Sequence, residues 1–229
     1  MNNSEIYKIR GTKVTSPYPT QLTPAEHRLI FSLQHVFAPE NIFPDCYFPK
    51  VDFRHNAIYN QKNANFDLAT LRSLPGSEVV QIDCIALGPK GVFIFESKDF
   101  SGWIYGTGDQ RYWTQTLNFG QEKHQFYNPI RQNAIHIAAL SELFLPQIPV
   151  YSIIVFGNNT VLKSITNLPS GCHVVLQSAL RSLISSILNQ PMPQLSATEL
   201  ANIRANLQAA RILPTAITRS EHISALQEK

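Results

Sequence analysis

VVQIDCIAL (residues 79–87) and VFIFESK (residues 92–98), joined by Gly88-Pro89-Lys90-Gly91, form the stretch on which the fold reading turns. Each run is short and rich in β-branched or aromatic residues, and the link is built of turn formers. The pair therefore predicts an antiparallel hairpin. Both runs are apolar at odd and even positions alike, the pattern of central strands covered on both faces. Three ionisable residues break it. Side chains alternate along a strand, so Val92, Ile94, Glu96 and Lys98 share one side. Asp83 interrupts the first run between Ile82 and Cys84, and counting back from the turn sets it roughly opposite Glu96.

Charge inside an apolar strand is costly unless it is paired or binds a metal. Two carboxylates at that separation repel, and one takes up a proton unless a cation lies between them. A divalent ion is the natural cation; magnesium is typically held by one or two carboxylates, waters and phosphate oxygens. Lys98, one strand step beyond Glu96, could stabilise charge on a phosphate or hold and polarise an attacking water. Metal, lysine and two carboxylates make a kit for hydrolysing a phosphodiester. A Glu-x-Lys triplet arises by chance roughly 0.4 times in such a chain, so its single occurrence draws its weight from the strand context. The plain alternative is an ion pair of Lys98 with Glu96 or Asp83 at a strand end emerging into solvent.

Outward from the hairpin, Thr23-Pro24-Ala25-Glu26 combines an N-cap, a proline at the first helical position and a glutamate three after the cap. Leu29, Ile30, Leu33, Val36 and Phe37 follow at helical spacing. Glu26 lies on that stripe, so it can point toward the acid pair or simply close the capping box. Residues 42–48 can form a strand, which Pro44 keeps at an edge or breaks. Residues 50–77 read as a polar surface excursion with one short helix near 66–74. Two more strands are expected around 103–106 and 112–116.

Asn128-Pro129 opens a helix running to about residue 144, with Gln132 in its first turn, where a glutamine can touch a metal-bound water or a phosphate or merely face solvent. Strands at 151–156 and 173–176 are followed by helices at 178–188 and 196–212, with another start at 218–221. His124 and His136 are not spaced as metal ligands, and His136 is expected to pack on its helix. Trp103, Tyr105, Tyr112 and Trp113 could stack bases, or serve as core and cross-strand pairs. No GxGxxG, Walker or GxSxG motif is present. The pattern predicts an α/β protein with a mixed sheet.

The chain has 229 residues, enough for one domain with a small helical appendage. Charged residues make up only 15%, which argues against a disordered tail, a nucleic-acid arm or a coiled coil. A net charge of +3 permits an anionic partner without demanding one. No window is apolar enough for a membrane span, and the first residues lack the apolar core of a secretory signal. Three scattered cysteines, Cys46, Cys84 and Cys172, fit neither a disulfide framework nor a zinc site, so a cytoplasmic home is expected.

QIDCIALGPKGVFIFESKDFSGWIYG (81–106), Tyr112-Trp113 and YNPIRQNAIHIAAL (127–140) together resemble the nuclease-related domain (NERD) family of the broad PD-(D/E)xK nuclease-like class. The likeness spans about residues 24–156. It implies a restriction-endonuclease-like core, with a central mixed β-sheet flanked by helices, followed here by a C-terminal helical tail. The division implied is a lead-in at 1–22, a nuclease-related domain at 23–188 with the excursion at 50–77, and a tail at 189–229. By position, the family's aspartate falls on Asp83, its E-x-K motif on Glu96 and Lys98, its first-helix glutamate on Glu26, and its glutamine on Gln132. Ala25 stands where a glycine commonly precedes the helix glutamate.

The resemblance implies a Mg²⁺- or Mn²⁺-dependent nuclease. Asp83, Glu96 and the Ser97 backbone carbonyl would hold the metal, and Lys98 would position the water. DNA is the expected partner, with RNA left open. Family members often carry a fused kinase, helicase or zinc module, none of which is seen here, so action alone or with a separately encoded partner is expected, and the helices from about residue 178 could cover the sheet or make a homodimer contact. The competing reading is a nuclease-fold module that binds nucleic acid or protein without turnover. The low charge favours it slightly, since duplex binders are usually more basic.

Overall fold

The computed structural model describes residues 6–9, 12–15, 22–49, 79–141 and 148–211. The expected hairpin forms its centre. β4 (Val79–Gly88) and β5 (Gly91–Lys98) pair antiparallel with Gly88 opposite Gly91 and Cys84 opposite Phe95. Gly91 sits at φ 137, and an added Cβ would lie 2.1 Å from the Pro149 carbonyl, so the turn requires glycine there. β3 (Ile42–Pro49) is an edge strand that continues through Pro44, antiparallel to β4 in one register throughout, with Asp45 at φ 48 the one unpaired position within it. β9 (Val150–Phe156) runs parallel to β5, and β11 (Cys172–Leu176) parallel to β9. The mixed five-stranded sheet therefore has the order β11-β9-β5-β4-β3.

Both faces of that sheet are covered, as the unbroken apolar runs require. On one side Phe93, Phe95, Ile153 and Val155 pack with Leu29 and Leu33 of α1 (Pro24–Leu33) and Ile184 and Ile187 of α3 (Leu180–Leu188). On the other, Val92, Ile94, Ile85 and Leu87 meet Leu140 of α2 (Pro129–Ser141) and Ile203 and Leu207 of α4 (Ala197–Ala210). α4 starts with the expected Ser196–Glu199 capping box and lies against this core, and the Leu195 amide donates to the Pro89 carbonyl in the β4–β5 turn.

The single mixed sheet expected from the sequence divides in two. β6 (Gly102–Thr107) and β7 (Tyr112–Leu117) belong to a four-stranded sheet of order β10-β6-β7-β8, with β8 (Glu122–Tyr127) and β10 (Thr160–Thr166) added. β8 reads EKHQFY and is almost wholly exposed, so it carries no apolar alternation to betray it. β10 pairs parallel with β6 across more than fifty residues of chain, a contact no local pattern encodes. Trp113, Ile104 and Phe126 of this sheet pack against Ile154 and Phe156 of the larger one, with Trp113 stacked on Phe156 at 6.3 Å. Within the expected lead-in, β1 (Ile6–Ile9) and β2 (Thr12–Thr15) form an antiparallel ribbon. The excursion at 50–77 and the last helix start at 218–221 lie outside the described residues.

Asn128 bolts the β6–β7 turn of the smaller sheet to the start of α2. Its carbonyl accepts from the Ile130 amide at 2.9 Å, and its amide nitrogen donates to the carbonyls of Thr107, Gly108 and Gln110 at 3.1, 3.2 and 2.7 Å. It is fully buried, so truncation strands three acceptors and one donor. Asn128→Ala should cost about 2–4 kcal/mol. In a thermal melt this is a fall of roughly 5–15 °C; an unchanged melt would show that the clamp is not structural.

Candidate active site

The β4–β5 pairing runs as far as Cys84–Phe95, and just beyond it Asp83 and Glu96 come together at one end of the hairpin, close enough that the Glu96 charge acts on the Asp83 carboxyl. Glu96 is 2% exposed, and Asp83 retains some contact with water. Asp83 Oδ2 accepts from the Ser97 amide at 2.7 Å, which ties it across the hairpin. Lys98 Nζ donates to Glu96 Oε1 at 2.7 Å and to Gln132 Oε1 at 3.0 Å, joining β5 to the first turn of α2. Glu96 Oε2 accepts no hydrogen bond among the described residues.

α2 is held over the pair by Asn133, whose amide donates to the Ile94 carbonyl at 3.0 Å and to Ser152 Oγ at 2.9 Å. Gln132 and His136 sit one helical turn apart, so both face the acid pair. His136 is buried with Nδ1 3.6 Å from Glu96 Oε2. It was expected merely to pack on its helix; instead it adjoins the central carboxylate. Its i+4 spacing from Gln132 is the signal that could have placed it there.

Glu26 fulfils both readings at once. It closes the capping box, with Oε2 accepting from the Thr23 amide at 2.6 Å, and its charge is felt at Asp83, Glu96 and Tyr47. Burial, then Glu26 and Asp83, push the Tyr47 hydroxyl up to about 12. All five expected side chains, from α1, β4, β5 and α2, thus lie at one end of the central strands.

The electrostatics follow. Burial and then the neighbouring Glu96 charge hold the Asp83 carboxyl well above its ordinary range, with the Ser97 amide opposing. Burial raises Glu96 too, and the Lys98 ammonium pulls it part of the way back. The pair offers a cation two acids, one with an oxygen lacking a hydrogen bond. Among the described residues, no three His, Cys, Asp or Glu side chains close into a metal cage. The donor set fits a hard ion that keeps waters and takes phosphate oxygens, and not a protein-enclosed site of the zinc kind.

The fold and the acid pair define a nuclease-related α/β domain, and residues 26–157 match the nuclease-related domain (NERD) family. The chain belongs to that family. An uncharacterized protein of Bacillus anthracis is 32% identical over 152 residues, covering 66% of this chain and 69% of the relative. No solved structure matches it. No helix among the described residues is long and apolar enough to cross a membrane.

A carboxylate raised by its surroundings stabilises the fold only while protonated. That stability is present below the ordinary values of 3.8 and 4.5 and is lost as pH rises through the raised folded values. In EDTA, Asp83→Asn keeps an acceptor for the Ser97 amide and removes the repulsion. At pH 8 it should gain about 1 kcal/mol, seen as a melting point higher by roughly 2–4 °C. The gain should shrink toward pH 4; a variant less stable than wild type at pH 8 would refute the electrostatic account.

Proposed function

We propose that the chain is a Mg²⁺- or Mn²⁺-dependent nuclease that hydrolyses phosphodiester bonds of DNA. The observation that carries this reading is the neighbouring Asp83 and Glu96 carboxyls with Lys98 one strand step beyond Glu96, linked to Glu96 and Gln132. Asp83, Glu96 and the Ser97 carbonyl would hold the metal, which when bound supplies charge neutralisation at phosphate and a more acidic water. Lys98 carries a positive charge whose position is fixed by two acceptors, so it can hold a water or a phosphate oxygen without reorganising. Gln132 sets the direction of that ammonium from α2. His136 limits the swing of Glu96 from behind, and Glu26 adds negative charge from the start of α1.

The 2.7 Å Lys98–Glu96 contact also favours a second reading, in which the pair satisfies itself and the fold serves as a binding module without turnover. Metal binding separates the two. Calorimetry with Mn²⁺ should show an isotherm for wild type and its loss in Asp83→Asn, whereas the module reading requires neither.

The catalytic test is cleavage of plasmid and single-stranded DNA with Mg²⁺ or Mn²⁺. Lys98→Ala should lower the rate about 10²–10³-fold, as removal of one positioned charge-stabilising donor does. Equal rates in wild type and variant would remove the mechanism.

A further inference from the structure

The four-stranded sheet turns one face to the core and the other to solvent. Ile104, Trp113 and Phe126 occupy the inner face. Register sets Trp103 of β6 and Lys123 of β8 on either side of Thr116, which is itself buried, and pairs Tyr112 with Tyr127. Tyr112 and Tyr127 are 45% and 38% exposed and lie edge to face at 6.2 Å. These four strands carry a single carboxylate, Glu122, which is exposed at the start of β8 beside the β7–β8 turn. Cations do adjoin the rings: Lys163 Nζ lies 4.5 Å from the Trp103 ring centre, and Arg111 lies 5.3 Å from that of Tyr112.

The β7–β8 turn adds a second, independent feature. Asn118 and Phe119 are held at φ 48 and 57, a region that side-chain-bearing residues seldom adopt, and Phe119 is 93% exposed. A large ring displayed to water on strained backbone makes no contribution to the core. An added Cβ on the next residue, Gly120, would lie 4.0 Å from the Trp103 ring, so the tip adjoins Trp103. From there to Tyr112 the length of β7 is about 17 Å, at the usual rise per strand residue. At the far end Tyr127 leads directly into Asn128, which starts the helix carrying Gln132.

We propose that this outward face is a stacking platform for single-stranded DNA, running from Phe119 and Trp103 to the Tyr112–Tyr127 pair beside the start of α2. Flat exposed rings accept any unpaired base, and Arg111, Lys123 and Lys163 beside them match a polyanion, with Glu122 at the Phe119 end held by Asn118 and Asp109 in the β6–β7 turn held by Thr107. A duplex, whose bases are already stacked and paired, can use the cations but not the rings. Cation–ring contacts at exposed sites are weaker than base stacks, so an arriving base displaces Lys163 from Trp103 toward a phosphate. The consequence that the bound strand is the substrate rests on the nuclease reading; strand binding does not.

The test is binding of a labelled dT oligonucleotide to the full chain in EDTA, where nothing is hydrolysed. Phe119→Ala and Tyr112→Ala should each weaken binding about tenfold. Phe31→Ala, which removes an exposed ring on α1, should not. Strand binding should quench tryptophan emission in wild type and not in Trp103→Phe, since the other tryptophan, Trp113, is buried. Lys163→Ala should lower the salt slope by about 0.7. Wild-type affinity in both ring variants, or a duplex bound as tightly as the strand, overturns the platform and leaves the metal site untouched. Loss of the Mn²⁺ isotherm's dependence on Asp83 would overturn the nuclease reading and leave strand binding standing.

Discussion

Two carboxylates held close together at the end of an apolar hairpin are unstable as an isolated pair, and the surrounding structure answers that repulsion. Asp83 and Glu96 meet just past the last β4–β5 pair, Cys84–Phe95, because the turn at Gly88–Gly91 fixes how the two strands run back alongside one another. The Ser97 amide meets one acid and the Lys98 ammonium the other. Negative charge left over in so small a space is the physical basis for reading this end of the sheet as a place where a cation belongs.

The helix above the pair is positioned by buried amides rather than by charges. Asn128 joins the start of α2 to the β6–β7 turn, and Asn133 joins its second turn to β5 and β9. Asn128 uses both its donor and its acceptor, and Asn133 uses its amide nitrogen twice while its Oδ1 accepts no bond among the described residues; such placed donors permit few alternatives, because each lost bond leaves a polar group stranded. Gln132 therefore meets Lys98 at a defined point, and His136 arrives beside Glu96 by helical geometry alone. The second sheet is bound into the same unit through Trp113 and Phe156, so its outward face keeps a set relation to α2.

Membership of the nuclease-related domain family and this arrangement of side chains point the same way, though they are different kinds of information. The family match spans residues 26–157. Beyond that span, α3 and α4 still bury Ile184, Ile187, Ile203 and Leu207 in the two main cores, and so complete the layers over the central sheet.

Much of this was legible in sequence because it is local. The capping boxes at Thr23 and Ser196, the hairpin turn at Gly88–Gly91 and the asparagine-proline start of α2 are written in residues a few positions apart. That Asp83 and Glu96 come to the same end of the hairpin follows from the turn at Gly88–Gly91, while the strict period of two breaks at Asp83, with Ile82 and Ile85 in one core and Cys84 in the other. Other features were decided by tertiary structure. The split into two sheets depends on β10 finding β6, and β8 has no apolar stripe to announce it. His136 looked like a core residue because its distance to Glu96 exists only once α2 lies on β5. Alternation could say which strand side chains share a face but not which face would be covered. Trp113 went to the core and Tyr112 to solvent because the larger sheet supplies Phe156 for one and nothing among the described residues for the other.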